Sequence, residues 1–64
     1  MSVGENIKNL RLKKNITQME LSNRIGITQS MLCQLERGTK ALNIQLGKQI
    51  AEFFGCSIDD LLKD

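Results

Sequence analysis

Three times along the chain a Ser or Thr is followed three residues later by an acid: Ser2 and Glu5, Thr17 and Glu20, Ser57 and Asp60. That pairing marks a helix start. The hydroxyl accepts the N–H of the third helical residue, and the carboxylate reaches back to the N–H of the cap, so two stranded backbone donors are satisfied together. Thr28 and Asn43 each precede a further apolar-periodic run, where a single side-chain oxygen can do the capping alone. Gly26, Gly38 and Gly55 stand at the ends of such runs, and glycine readily takes the left-handed conformation that closes a helix. Starts and stops this closely spaced leave room only for short helices.

The apolar residues between the signals recur at helical spacing and nowhere alternate like a strand. Ile7 and Leu10, with the stem of Lys14, make a first stripe; Leu21 and Ile25 make a second, and Leu32 and Leu35 a third. Ile44, Gly47, Ile50, Ala51 and Phe54 line one side of a fourth helix, and Leu61 and Leu62 follow the last cap. Gly47 costs that helix about 1 kcal/mol relative to Ala, and the expected compensation is close backbone packing beside Ala51. The expectation is an all-α fold, a compact five-helix unit occupying residues 1–64 as a single domain. A chain of 64 residues buries only about 60% of its unfolded surface, so its core must be economical.

Composition narrows the function. Hydrophobic residues at 41% and charged residues at 25% are ordinary for a globular protein, and there is no His, Trp, Tyr or Pro. Without His the chain lacks the commonest general base and the commonest metal ligand, and no paired carboxylates or thiols replace it. An enzyme is not expected on that ground, and no cofactor, metal or small-molecule site is evident. Cys33 and Cys56 lie 23 residues apart, which fits no zinc spacing and reads as two reduced thiols of a cytoplasmic protein. The stretch MSVGENIKNL lacks the apolar run of a signal peptide. No segment approaches the roughly 20 apolar residues that span a bilayer, so no membrane partner is expected. The formal net charge is +2, unevenly placed. Residues 1–40 carry seven basic groups against three acids, whereas residues 41–64 carry two against four. One end can face a polyanion.

Two short helices meeting at Gly26, with Leu21, Ile25, Ile27, Leu32 and Leu35 as core, have the layout of a helix-turn-helix. The residues themselves carry a resemblance. IKNLRLKKNITQMELSNRIGITQSMLCQLERG resembles the phage-repressor and Cro type of helix-turn-helix domain, found in bacterial and phage transcriptional regulators. The shared features are Ile-x-x-Leu-Arg in the first helix, Thr-Gln-x-Glu-Leu opening the second, and Gly26 at the turn. Leu-x-x-Leu-Glu-x-Gly closes the third helix, and IAEFFGCSIDDLL follows near the end. The likeness runs over residues 7–62, with the motif itself at about 18–37. Ser22 stands where the family usually has Ala, Leu42 near the place of a frequent Pro, and Met31 and Cys33 are unusual on the third helix.

On a helical wheel the third helix turns Thr28, Met31, Leu32 and Leu35 to one arc and Ser30, Cys33, Gln34 and Arg37 to the other, with Gln29 and Glu36 on a flank. A solvated face normally carries Lys and Glu; this one carries amides and a hydroxyl. Major-groove base edges present mixed donors and acceptors, and an amide can satisfy both at once, as Gln does with adenine. The resemblance implies that Gln29, Ser30 and Gln34 contact bases, with Cys33 as a further candidate. It also implies that Gln18 clamps the DNA backbone and that Arg11 and Glu36 form an ion pair joining the first helix to the third.

Other phosphate contacts are expected at helix ends, where free N–H groups and the positive dipole end attract anions. Arg37, Thr39, Lys40 and Asn43 form one such clamp, and Thr17 and Thr28 are caps that also touch phosphate. The partner so implied is double-stranded DNA, bound by a homodimer on a near-palindromic site. Phe53, Ile58, Leu61 and Leu62 exceed what so small a core can hide and are the expected dimer interface. The rival reading is an antitoxin or another protein-interaction module using the same fold.

Overall fold

The computed structural model describes residues 2–63. Five helices follow one another: α1 (Val3–Lys13), α2 (Gln18–Ile25), α3 (Gln29–Arg37), α4 (Ile44–Phe54) and α5 (Ile58–Leu62). Each starts at the cap read from the sequence. The reciprocal boxes at Ser2–Glu5, Thr17–Glu20 and Ser57–Asp60 are all closed. Thr28 accepts from the Met31 N–H and Asn43 from the Leu46 N–H. Gly26 lies at φ 76°, ψ 32°, a region costly for any residue with a Cβ. The chain turns there into α3, and the Ile27 N–H reaches the Ser22 carbonyl at 2.9 Å. Gly38 and Gly55 end α3 and α4 in the same way.

The helices pack around one core made of Ile7, Leu21, Ile25, Leu32, Leu35, Leu46, Ile50, Ala51 and Leu61. α1 lies against α3 and α5, α2 against α3 and α4, and α4 against α5. The radius of gyration of 10.2 Å is close to the roughly 10.7 Å expected of a folded chain this long. α3 therefore rests on α1 and α2 along its inner arc, and its outer arc is left uncovered.

The structure corrects three expectations. Leu61 is fully buried, the one wholly buried residue of the short helix α5, and it is part of the core. It cannot belong to a dimer interface. Phe53 and Ile58 are half-buried against the same core, and of the expected interface residues Leu62 alone is largely exposed. Phe53 also meets Phe54 edge to face, with ring centroids 5.1 Å apart, under the Lys14 ammonium at 5.9 Å.

Ile44, placed on the buried side of the fourth helix from its spacing, is 66% exposed, and Leu46 is buried instead. Ile44 is the first helical residue after the cap, and the core begins one half-turn later. Gly47 is buried, but its neighbour is the Leu42 side chain and not a backbone. A Cβ there would meet Leu42 Cδ2 at 3.5 Å, an ordinary contact.

Asn6 was not singled out in the sequence, yet it ties the two ends of the fold. Its Nδ2 donates to the carbonyl of Leu61 at 2.8 Å and to that of Lys63 at 2.6 Å. Those oxygens are left over at the end of α5 because a helix has no N–H for its last carbonyls.

Candidate nucleic-acid interface

Gln29, Ser30 and Gln34 are exposed on α3, as are Arg37, Thr39 and Lys40 just beyond it, while Cys33 is half-buried. The uncovered arc of α3 thus carries amides and a hydroxyl, bounded by two cations at its C-terminal end. Thr17, Thr28 and Asn43 each spend the side-chain oxygen on an N-cap. They fix helix starts, and capping through an oxygen does not use the threonine O–H or the Asn43 amide N–H groups. Thr39 donates its hydroxyl to the Gln34 carbonyl at 3.3 Å, which, with its own N–H on the same oxygen at 3.0 Å, holds the loop after α3 against the helix.

The first turns of α3 and α4 contain no acid, in contrast to α1, α2 and α5. In the acid-capped helices the carboxylate offsets the positive end of the helix dipole. At α3 and α4 that potential is left for an outside anion. The two helix starts border a groove of about 220 Å³ lined by Ile27, Met31, Asn43, Gln45, Leu46 and Gln49. Gln45 and Gln49 were missed in the sequence. The signal was present, since two amides four residues apart share one helical face directly after the Asn43 cap.

Behind this surface sits a buried polar node. Arg11 Nε donates to Glu36 Oε2 at 2.8 Å and Arg11 Nη2 to Glu36 Oε1 at 3.0 Å. Both side chains are withdrawn from solvent, to 10% and 4% exposure. The wheel put Glu36 on the flank of the outer face; the structure turns it inward to meet Arg11. The carboxylate pushes the Arg11 guanidinium to a still higher pKa through those hydrogen bonds, against the opposing effect of burial. Arg11 Nη1 takes the Ile16 carbonyl at 3.1 Å, and Gln18 Nε2 donates to Glu36 Oε1 at 3.0 Å.

The node therefore joins α1, the α1–α2 turn, the start of α2 and the end of α3. A carboxylate near a helix C-terminus is disfavoured by the dipole, so Glu36 needs the arginine. The pair links the end of α3 to α1, and Gln18 adds the start of α2. Among the described residues no buried side-chain nitrogen or oxygen lacks a partner.

Gln18 was expected to serve the DNA backbone, and its amide is found engaged with Glu36. Thr17 Oγ1 takes the Glu20 N–H at 3.0 Å. The N–H groups of Gln18 and Met19 belong to the first turn, where a helix offers no carbonyl. The structure brings Gln18 and Glu36 together and leaves Gln29, Ser30 and Gln34 on a neighbouring open surface.

A family described as helix-turn-helix matches residues 7–61. The antitoxin PezA of Streptococcus pneumoniae is 33% identical over 60 residues, which cover 94% of this chain and 38% of that protein. The cryptic phage CTXphi transcriptional repressor RstR of Vibrio cholerae is 29% identical over 58 residues, covering 91% of this chain and 52% of the repressor. The chain thus spans about half or less of the length of these two curated relatives. Among solved structures, the P22 c2 repressor protein in complex with synthetic operator 9T superposes with a TM-score of 0.91 at 30% identity. That likeness covers 98% of this chain and 96% of the repressor chain. No helix among the described residues is long and apolar enough to cross a membrane. Motif, helix order and superposition agree, and the chain belongs to the helix-turn-helix family.

Proposed function

We propose that this chain is the DNA-binding unit of a transcriptional regulator that reads a specific double-stranded sequence with α3 in the major groove. The observation that carries the reading is the uncovered arc of α3, where Gln29, Ser30 and Gln34 stand exposed and uncharged beside a first turn free of acid. Amides there can pair with base edges. Arg37, Lys40 and the acid-free start of α4 clamp the phosphates on one side, and the start of α2, with Gln18, clamps them on the other. Cys33, half-buried on the same arc, contributes its compact sulfur at the edge of the base contacts.

The likeness to a repressor solved on its operator supports this assignment. Repression follows if a homodimer covers a near-palindromic site overlapping a promoter, in the cytoplasm. One domain reads one half-site, and two copies place their recognition helices about 34 Å apart along one face of the duplex. Phe53, Ile58 and Leu62 remain the residues proposed for the dimer contact. The similarity to an antitoxin favours a second reading, in which the same fold also serves a protein partner.

Selection of bound sequences from a randomised duplex pool tests the first reading. One enriched motif should emerge, and Gln34→Ala should lose about 1–3 kcal/mol at one or two of its base pairs only. Affinity should fall steeply with salt. A pool that returns no motif, or a Gln34→Ala variant weakened equally on all sequences, overturns base reading by α3.

A further inference from the structure

Glu36 has no donor to offer. An ionised carboxylate only accepts, whereas a glutamine amide has a donating end and an accepting end. The short contact between Gln18 Nε2 and Glu36 Oε1, 3.0 Å, therefore fixes which way the Gln18 amide is turned. The reversed amide would set two oxygens against each other. We propose that Glu36 is a positioning residue for DNA binding, which locks the Gln18 amide with one N–H inward and its second N–H and carbonyl oxygen free at the start of α2. This proposal rests on the reading that the α2–α3 surface meets DNA.

Three observations carry it. First, Gln18 is half-buried, not enclosed, and among the described residues its side chain bonds to Glu36 alone. Since no buried side-chain oxygen or nitrogen among the described residues lacks a partner, its amide oxygen is open to solvent. Second, Gln18 is the first residue of α2, so its free N–H joins the unpaired backbone N–H groups of the first turn, a ready anion seat.

Third, the Glu36 charge is offset in place by Arg11, which holds both carboxylate oxygens. A phosphate arriving at the start of α2 is thus met by a fixed donor, and the negative charge behind it is already neutralised. The same carboxylate orients the phosphate clamp and holds α3. The tilt of the recognition helix and the position of the clamp are consequently set by one group.

The test uses the full chain and the duplex sequence enriched from the randomised pool. Four proteins are compared: wild type, Gln18→Met, Glu36→Gln and the double variant. Met keeps the length of the side chain without its amide. Gln at position 36 keeps size and an oxygen for Arg11 but no longer dictates the orientation of the Gln18 amide. Each single variant should bind about threefold to tenfold more weakly, the range of one net hydrogen bond. The double variant should be no weaker than Glu36→Gln alone. Losses that multiply in the double variant overturn the proposal.

A spectroscopic readout in the DNA-free protein separates positioning from mere stability. In wild type the Gln18 side-chain amide proton that faces Glu36 should be shifted downfield of its usual position and protected from exchange, and Glu36→Gln should remove that extra shift and protection. Ordinary glutamine shifts and equally rapid exchange of both protons in wild type overturn the locked amide even if DNA binding is intact. Failure of wild type to bind any duplex overturns the functional reading, and the proton signature still decides the orientation of the amide.

Discussion

Gly4 in the first turn of α1 lies directly against Leu35 in the last turn of α3. A Cβ built on Gly4 would fall inside the contact radius of the Leu35 carbonyl oxygen and 2.6 Å from that of Glu36. Those oxygens are backbone, so they cannot swing aside as a side chain would. The close approach is what lets α1 and α3 pack with Ile7, Leu32 and Leu35 filled in between. Gly4→Ala should therefore destabilise the protein by about 1–3 kcal/mol, the usual range for overpacking, despite the better helix propensity of Ala. In a domain this small about 1 kcal/mol moves the melting midpoint by roughly 4–8 °C. A thermal melt followed by circular dichroism would show the loss; an unchanged or higher midpoint would contradict it.

Gly47 should behave in the opposite way. It sits in the body of α4 with a helical φ, and the added methyl would touch Leu42 Cδ2 at 3.5 Å. Ala reduces the freedom of the unfolded chain and improves helix propensity, so Gly47→Ala should stabilise by about 0.4–1 kcal/mol. Melting temperature and denaturant midpoint should both rise. A fall in either would mean that the Leu42 contact is tighter than its distance implies.

Removing Glu36 strands a buried arginine. Glu36→Ala leaves the Arg11 guanidinium with only the Ile16 carbonyl, which it holds at 3.1 Å. The expected cost is about 3–5 kcal/mol, a large share of the stability of a chain this size. Replacing both partners, as Arg11→Met with Glu36→Leu, should cost clearly less, because no buried charge remains unpaired. Urea titration of the single and double variants measures the difference. Equal losses in both would show that lost packing, and not an uncompensated charge, causes the effect.

The capping boxes give the protein an acid limb. Hydrogen bonds from Ser2 hold the Glu5 carboxyl below its ordinary value of 4.5, and hydrogen bonds from Ser57 hold Asp60 below 3.8. In this range the unfolded chain binds more protons than the folded one, so stability rises with pH. The contribution is complete above those ordinary values and is lost as pH falls through the lower, folded ones. Glu5→Gln and Asp60→Asn should flatten the stability profile below about pH 5 by lowering the neutral midpoint toward the acid one. An acid limb as steep as that of wild type would place its origin elsewhere.

The helices and their ends could be read directly because they are local. A hydroxyl and an acid three residues apart satisfy backbone donors within one turn, whatever the rest of the chain does. Ser2, Thr17, Thr28, Asn43 and Ser57 accordingly cap the helices they precede. The exposure of Gln29, Ser30 and Gln34 followed from periodicity, since a helix turns its residues at a fixed angle. What periodicity does not specify is depth, or which neighbour arrives.

Spacing alone could not show that Leu61 plugs the core while Leu62 faces water, or that Leu46 rather than Ile44 is buried. Those outcomes depend on where α5 and α4 come to rest. Gly4 meets the backbone of α3 only because the fold lays that helix across it, and Asn6 gains its partners only when the end of α5 returns to α1. The node of Arg11, Gln18 and Glu36 spans 25 residues of sequence. Its geometry arises from three helices meeting, because a buried charge takes whatever partners the packing brings within hydrogen-bonding reach.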